Sequence, residues 1–131
     1  MKMKKHEIIF NEADVEQFVK LIGDRNPIYQ SLERAKDYGF ERIPLPQAMP
    51  MMAYKWFETK WELPYSIIHR KQKCILHQRM YVDEIYHAIV EVTDQSKRHN
   101  LTFMKQILYL YNSDEKLCFE GISDLVLEDL S

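Results

Sequence analysis

Glycine is scarce, with only three in 131 residues. That leaves no material for flexible connections, and neither a Gly-rich phosphate loop nor a Gly-x-Ser-x-Gly nucleophile turn occurs. Nucleotide chemistry and serine hydrolysis therefore have no support. The two cysteines, Cys74 and Cys118, fit no metal-ligand spacing and are expected to be buried small hydrophobes without a disulfide. No apolar run approaches the roughly 20 residues of a membrane span. Behind the basic Met1 to Lys5, the apolar stretch Ile8 to Phe10 is too short for a secretory signal, so a cytoplasmic, membrane-free protein is expected. Neither charge sign dominates, since the formal net charge is −2 and Lys and Arg are spread along the chain. A phosphate-tracking surface is thereby excluded and no nucleic-acid partner is expected. The short basic clusters Arg70 to Lys73 and Lys97 to Arg98 read as solvated surface. His69, His77, His87 and His99 form no pair at helical metal spacing, so neither a metal nor any cofactor is expected.

What is present is an ordinary soluble balance, 46% hydrophobic and 29% charged, without repeats or low-complexity tracts. Residues 1–131 are expected to form one domain. A chain this short leaves much of its surface exposed, which favours burial of apolar faces against a partner subunit.

Asn11 can cap a first helix in which Val15, Phe18, Val19 and Ile22 recur at helical spacing and Gly23 supplies the C-terminal cap. Pro27 prevents continuation, so Asp24 to Tyr29 reads as an ordered turn. Ser31 resembles the cap of a short second helix closed by Gly39. After Pro44, Pro46 and Pro50, the positions Met49, Met52, Ala53, Trp56, Phe57 and Lys60 make one broad apolar stripe, predicting a long buried helix that ends before Pro64. Its methionines and aromatics suit either a packed core or the wall of an adaptable acyl pocket. From Tyr65 the texture becomes β-branched and aromatic. Tyr65 to Cys74, Arg79 to Thr93, Leu101 to Asn112 and Leu117 to Leu127 read as four strands of an antiparallel meander, with turns at Gln95 to Asn100 and Asn112 to Lys116. Glu7 to Phe10 is a further candidate strand. Helices first and strands after point to the α+β class.

Gly23-Asp24-Arg25-Asn26-Pro27-Ile28-Tyr29 packs a carboxylate, an amide and a phenol into one rigid turn, the kind of element that places functional groups. The same spacing also suits a plain turn in which Asp24 and Asn26 satisfy local backbone donors. From the residues alone, both readings stand.

Phe18-x-x-Leu21-Ile22-Gly23-Asp24-Arg25-Asn26-Pro27-Ile28-Tyr29, followed by Ala35-x-x-x-Gly39-Phe40 and Ile43-Pro44-Leu45-Pro46, resembles the signature of MaoC-like hydratases and dehydratases. The resemblance extends more weakly through Leu76 to Thr93 and Leu101 to Leu127. It implies a hotdog fold, in which a long buried helix is wrapped by a curved antiparallel β-sheet, two units pair, and an acyl thioester enters between them. In catalytic members an Asp followed five residues on by a His activates water for reversible hydration of an enoyl thioester to a 3-hydroxyacyl product. Asp24 matches the Asp, but Tyr29 replaces the His, and a phenol with a pKa of about 10 does not readily accept a proton at neutral pH.

Two further departures accompany it. Pro46-Gln47-Ala48 stands where active members often carry His-Gly before the buried helix, whose amino end offers donors to the thioester carbonyl. Asp83-Glu84 replaces a Gly-Asp turn, though Asp tolerates the left-handed conformation better than most residues. These changes resemble the family's N-terminal-type, FAS1-like dehydratase units, which bind substrate while a partner half supplies the dyad. The resemblance thus implies an acyl-CoA or acyl-carrier-protein thioester as ligand and a homodimer or a heterodimer with a catalytic hotdog subunit. Asp24 and Tyr29 are the catalytic positions, with Asn26, Pro46, Gln47, Met49 and Met52 against substrate. Two alternatives are a non-enzymatic acyl-CoA-binding protein or sensor and a hotdog thioesterase. The last would need a carboxylate on the buried helix, where Glu58 and Glu62 lie late.

Overall fold

The computed structural model describes residues 5–53 and 65–129, with the side chains of residues 65–69 and 129 outside the description. Helix α1 spans Glu12–Ile22, as the apolar spacing predicts. Its start is fixed by a capping box: Asp14 N–H donates to the Asn11 side chain at 2.8 Å, and Asn11 N–H donates to the Asp14 carboxylate at 2.9 Å. Val15 is fully buried and Phe18 and Val19 pack against the core, whereas Ile22, on the same stripe, is 54% exposed. A short α2, Leu32–Asp37, follows its Ser31 cap and ends before Gly39 at φ 91°.

Five strands form one antiparallel sheet: β1 (His6–Ile9), β2 (Tyr65–Leu76), β3 (Ile85–Arg98), β4 (Leu101–Tyr111) and β5 (Leu117–Asp129). Their order is β1-β3-β4-β5-β2, so the strands do not run as a simple meander. β3, β4 and β5 follow one another as hairpins, while β2 crosses over to pair with β5 and β1 flanks β3.

The two ends of β3 differ most from the sequence reading, the other strand ends by one or two residues. The predicted strand from Arg79 begins only at Ile85, because residues 80 to 82 bond elsewhere: Leu45 N–H donates to the Met80 carbonyl at 2.8 Å and Val82 N–H to the Ile43 carbonyl at 3.0 Å. At its other end β3 runs past Thr93 through a bulge and continues to Arg98, where Arg98 pairs with Leu101. The expected turn at Gln95 to Asn100 thus shrinks to two residues, with His99 at φ 57°. The other turn stands as expected, its Asn112 side chain accepting from Asp114 N–H at 2.9 Å and Lys116 N–H at 3.0 Å.

The core lies on the sheet face carrying Tyr86, Ala88 and Val90 of β3, Leu108 and Leu110 of β4 and Phe119 of β5, closed over by Phe10, Val15, Ile43, Leu45, Met49 and Ala53. Met49–Ala53 forms a 3-10 turn at the start of the predicted buried helix, and Trp56, Phe57, Glu58, Lys60 and Glu62 lie outside the described residues. Gly121 lets this turn approach β5, since a Cβ there would collide with the Met51 sulfur. Asp83 adopts φ 61°, a left-handed conformation that Asp tolerates better than most residues, while its N–H donates to the Phe10 carbonyl at 2.8 Å. Cys118 is buried as expected, but Cys74 is exposed, because it lies on β2 at the sheet edge.

Candidate functional site

The polar turn is built by the end of α1. Gly23, at φ 72°, donates its N–H to the Lys20 carbonyl and Asp24 N–H donates to the Val19 carbonyl at 2.9 Å, so the chain leaves the helix in a fixed direction. Asp24 Oδ1 then accepts from Asn26 N–H at 2.9 Å, and Asn26 Oδ1 accepts from Ile28 N–H at 3.3 Å. Both side chains therefore satisfy local backbone donors, and Asn26 caps the 3-10 turn Pro27–Tyr29. Ile28 is buried and anchors the turn, which leaves Tyr29 half-buried against the core.

The Tyr29 phenol is shifted upward by burial first and by the Asp24 carboxylate second, while the Arg79 guanidinium opposes both. A phenol so placed keeps its proton throughout the neutral range and offers a hydrogen-bond donor rather than a base. Arg79 itself lies 4.9 Å from the centroid of the Phe40 ring, within cation–π reach.

A second feature is an apolar groove of about 460 Å³ between α1, the end of β1 and the Met49–Ala53 turn, lined by Ile9, Phe10, Phe18, Leu21, Met49 and Met52, with Asp14 and Gln17 as its polar members. Asp14 is already engaged by Asn11 in the capping box. Pro46 is buried and Gln47 exposed. Met49 N–H donates to the Pro46 carbonyl at 3.0 Å and Met51 N–H to the Ala48 carbonyl at 3.2 Å, so these two amides are occupied rather than free for a carbonyl ligand.

The seven expected site residues thus fall into three places: Asp24, Asn26 and Tyr29 on one turn, Met49 and Met52 in the groove, and Pro46 with Gln47 just before Met49 in the chain, outside the groove lining. Phe10, Gln17 and Arg79 were not proposed as site residues from the sequence, and Phe40 entered only as part of the family motif. Phe18, by contrast, lies on the helical stripe that led to α1. Nothing in local spacing marks Arg79, whose partner Phe40 is 39 positions away.

Among the described residues no three His, Cys, Asp or Glu side chains gather as metal ligands, and no helix is long and apolar enough to cross a membrane. A family profile described as FAS1-like, dehydratase domain region matches residues 1–120. No curated protein matches by sequence. Among solved structures, the C-terminally truncated HadBC (3R-hydroxyacyl-ACP dehydratase) complex from Mycobacterium tuberculosis is similar at TM-score 0.81 and 17% identity, covering 96% of this chain and 94% of that one. The (R)-hydratase from A. caviae involved in PHA biosynthesis is similar at TM-score 0.75 and 21% identity, covering 95% and 92%. The ChsH1-ChsH2 complex from Mycobacterium tuberculosis follows at TM-score 0.72 and 18% identity, covering 99% and 85%. At these identities the likeness is one of fold, and it is the hotdog fold.

Proposed function

The chain belongs to the FAS1-like dehydratase domain family of MaoC-like hotdog proteins, and from that premise we propose that it is the substrate-binding unit of a 3-hydroxyacyl-thioester dehydratase or enoyl-thioester hydratase. In this reading it holds the acyl thioester and a second hotdog unit supplies the Asp and His that move protons. The observation that carries it is Tyr29. A half-buried phenol beside Asp24 retains its proton at neutral pH, so the residue standing where the base would be does not take up a proton. Asp24 supports the same reading, because one of its carboxylate oxygens is committed to the Asn26 N–H. The apolar groove beside α1 and Met49 offers a wall for an acyl chain, with methionines that adapt to its length.

Calorimetry with butyryl-CoA and a crotonyl-CoA hydration assay between pH 6 and 9 test the proposal. The purified chain is expected to bind the thioester and to hydrate crotonyl-CoA barely above background. Tyr29→His restores the missing residue type and should recover part of the roughly 10²–10⁴-fold that a general base contributes. Efficient hydration by the unmodified chain would overturn the binding-unit assignment, and absence of thioester binding would remove the function altogether.

A further inference from the structure

We propose that strand β2 selects the partner of this chain by charge: it pairs with the edge strand of a hotdog unit that carries Asp or Glu at the facing positions, in preference to a second copy of this chain. The inference rests on the binding-unit reading above and adds the chemistry of the surface through which the unit supplying the Asp and His is recognised.

The basic cluster that reads as solvated surface in the sequence occupies an end of the sheet. Among the described residues β2 has a neighbouring strand, β5, on one side only. Arg70, Lys71 and Lys73 are exposed there, and no Asp or Glu occurs in the 12 residues Tyr65–Leu76. The register fixes where these charges stand. Lys71 faces Asp124, which on its other side faces Lys105, and Lys105 also reaches Asp94 at 4.0 Å. Lys73 faces Ile122 and shares a face with Lys71, because side chains two apart in a strand point the same way. With Lys105 the two line a hollow of about 490 Å³. Arg70, at the bulge of β2, lies 5.8 Å from the centroid of the Phe103 ring, and Phe103 is two residues from Lys105 on that face.

The edge thus runs against the charge of the molecule. The chain has a net charge of −2, so with these three cations set aside its other residues sum to −5. Two copies meeting antiparallel about a two-fold axis within residues 70 to 73 would set cation opposite or diagonal to cation on one face, which opposes pairing. Basic side chains on an edge guard against self-association, while the strand's backbone still accepts a partner of complementary charge. Screening at physiological ionic strength weakens the repulsion without removing it, so self-pairing at micromolar concentration is disfavoured relative to the mixed pair rather than abolished.

A Lys71→Glu/Lys73→Glu copy of this chain serves as an acidic-edge hotdog partner, its fold checked by circular dichroism and its urea midpoint. Sedimentation of fluorescently labelled copies measures the dissociation constants of the wild-type homodimer and of the mixed dimer at about 0.05 and 0.5 M salt. At low salt the mixed dimer is expected to be about ten- to hundredfold tighter. Added salt should narrow that gap and should tighten the wild-type homodimer. Lys71→Gln/Lys73→Gln removes the charge without reversing it, and should self-associate more tightly than wild type with a smaller response to salt; this arm decides the matter if the Glu copy does not fold. Equal affinities for every pairing, a wild-type homodimer that weakens as salt is added, or no pairing by any of the three chains would overturn the proposal. Binding of acyl carrier protein that the Glu copy loses, with dimerisation indifferent to charge, would also overturn it and give the cations to the carrier. No arm reads thioester binding, so a failure of partner selection leaves the binding-unit reading standing, and a chain that selects its partner but binds no thioester would remove that reading alone.

Discussion

At position 29 a phenol stands where the resembled dyad has an imidazole, and burial makes its proton harder to remove. Tyr86 is raised in the same direction, chiefly by burial, while its hydroxyl donates to Glu84 at 2.7 Å and accepts from Tyr81 N–H at 2.8 Å. Because the folded state holds these protons more tightly than the unfolded chain does, their contribution to stability is complete below about pH 10 and is lost as pH rises through the folded values. Denaturant midpoints measured from pH 7 upward should therefore be flat with respect to these groups and fall above pH 10. Absorbance at the tyrosinate band should show two or more tyrosines ionising late. A different constraint acts at Gly121, where the Met51 sulfur occupies the space a Cβ would need. Gly121→Ala should cost about 1–3 kcal/mol through overpacking, read as a lower urea midpoint with an unchanged slope.

At the scale of elements, α1 is the piece that aims the polar turn, since its Gly23 cap sets the exit of Asp24. Loosening the other end of the helix should tell how much of the turn's order depends on it. Asn11→Ala removes the capping side chain and should cost about 1 kcal/mol in chemical denaturation. Amide exchange should quicken in the first turn of α1, while Asp24 N–H, held by Val19, stays protected. Faster exchange at Asp24 as well would mean that helix and turn open as one unit. The hairpin ends were partly legible beforehand. Asn112 announced its turn because a short amide side chain bonds locally, whereas the β3–β4 turn was read too long, Gln95 to Arg98 belonging to the strand. Gln95 to Arg98 look like turn residues, yet their pairing with residues 101 to 104 keeps them in the strand.

For the whole molecule, the sheet ends at β2 on one side and β1 on the other, and the described strand of β2 from Arg70 to Leu76 is largely solvent-exposed. An open edge of that length favours pairing with another chain. Light scattering at micromolar concentration is expected to find a dimer rather than a monomer. Addition of a hotdog subunit carrying an intact Asp and His should raise enoyl-CoA hydration well above that of either chain alone. A mixture no faster than the added subunit would count against a division of labour.

Helix α1 with both of its caps, the ordered turn after it and the α+β class could be read from the residues, because each of these rests on local bonding or on periodicity along a few positions. The motif from Phe18 to Pro46 carried the family. That β2 joins β5, that residues 80 to 82 leave strand β3 to hold residues 43 to 45, and that Asp24, Asn26 and Tyr29 stand apart from Met49 and Met52 came from the folded chain. Strand order and side-chain convergence depend on contacts between positions far apart in the chain, which no local pattern encodes. Arg79 is the plainest case, since its place over Phe40 exists only after residues 80 to 82 have locked against residues 43 to 45.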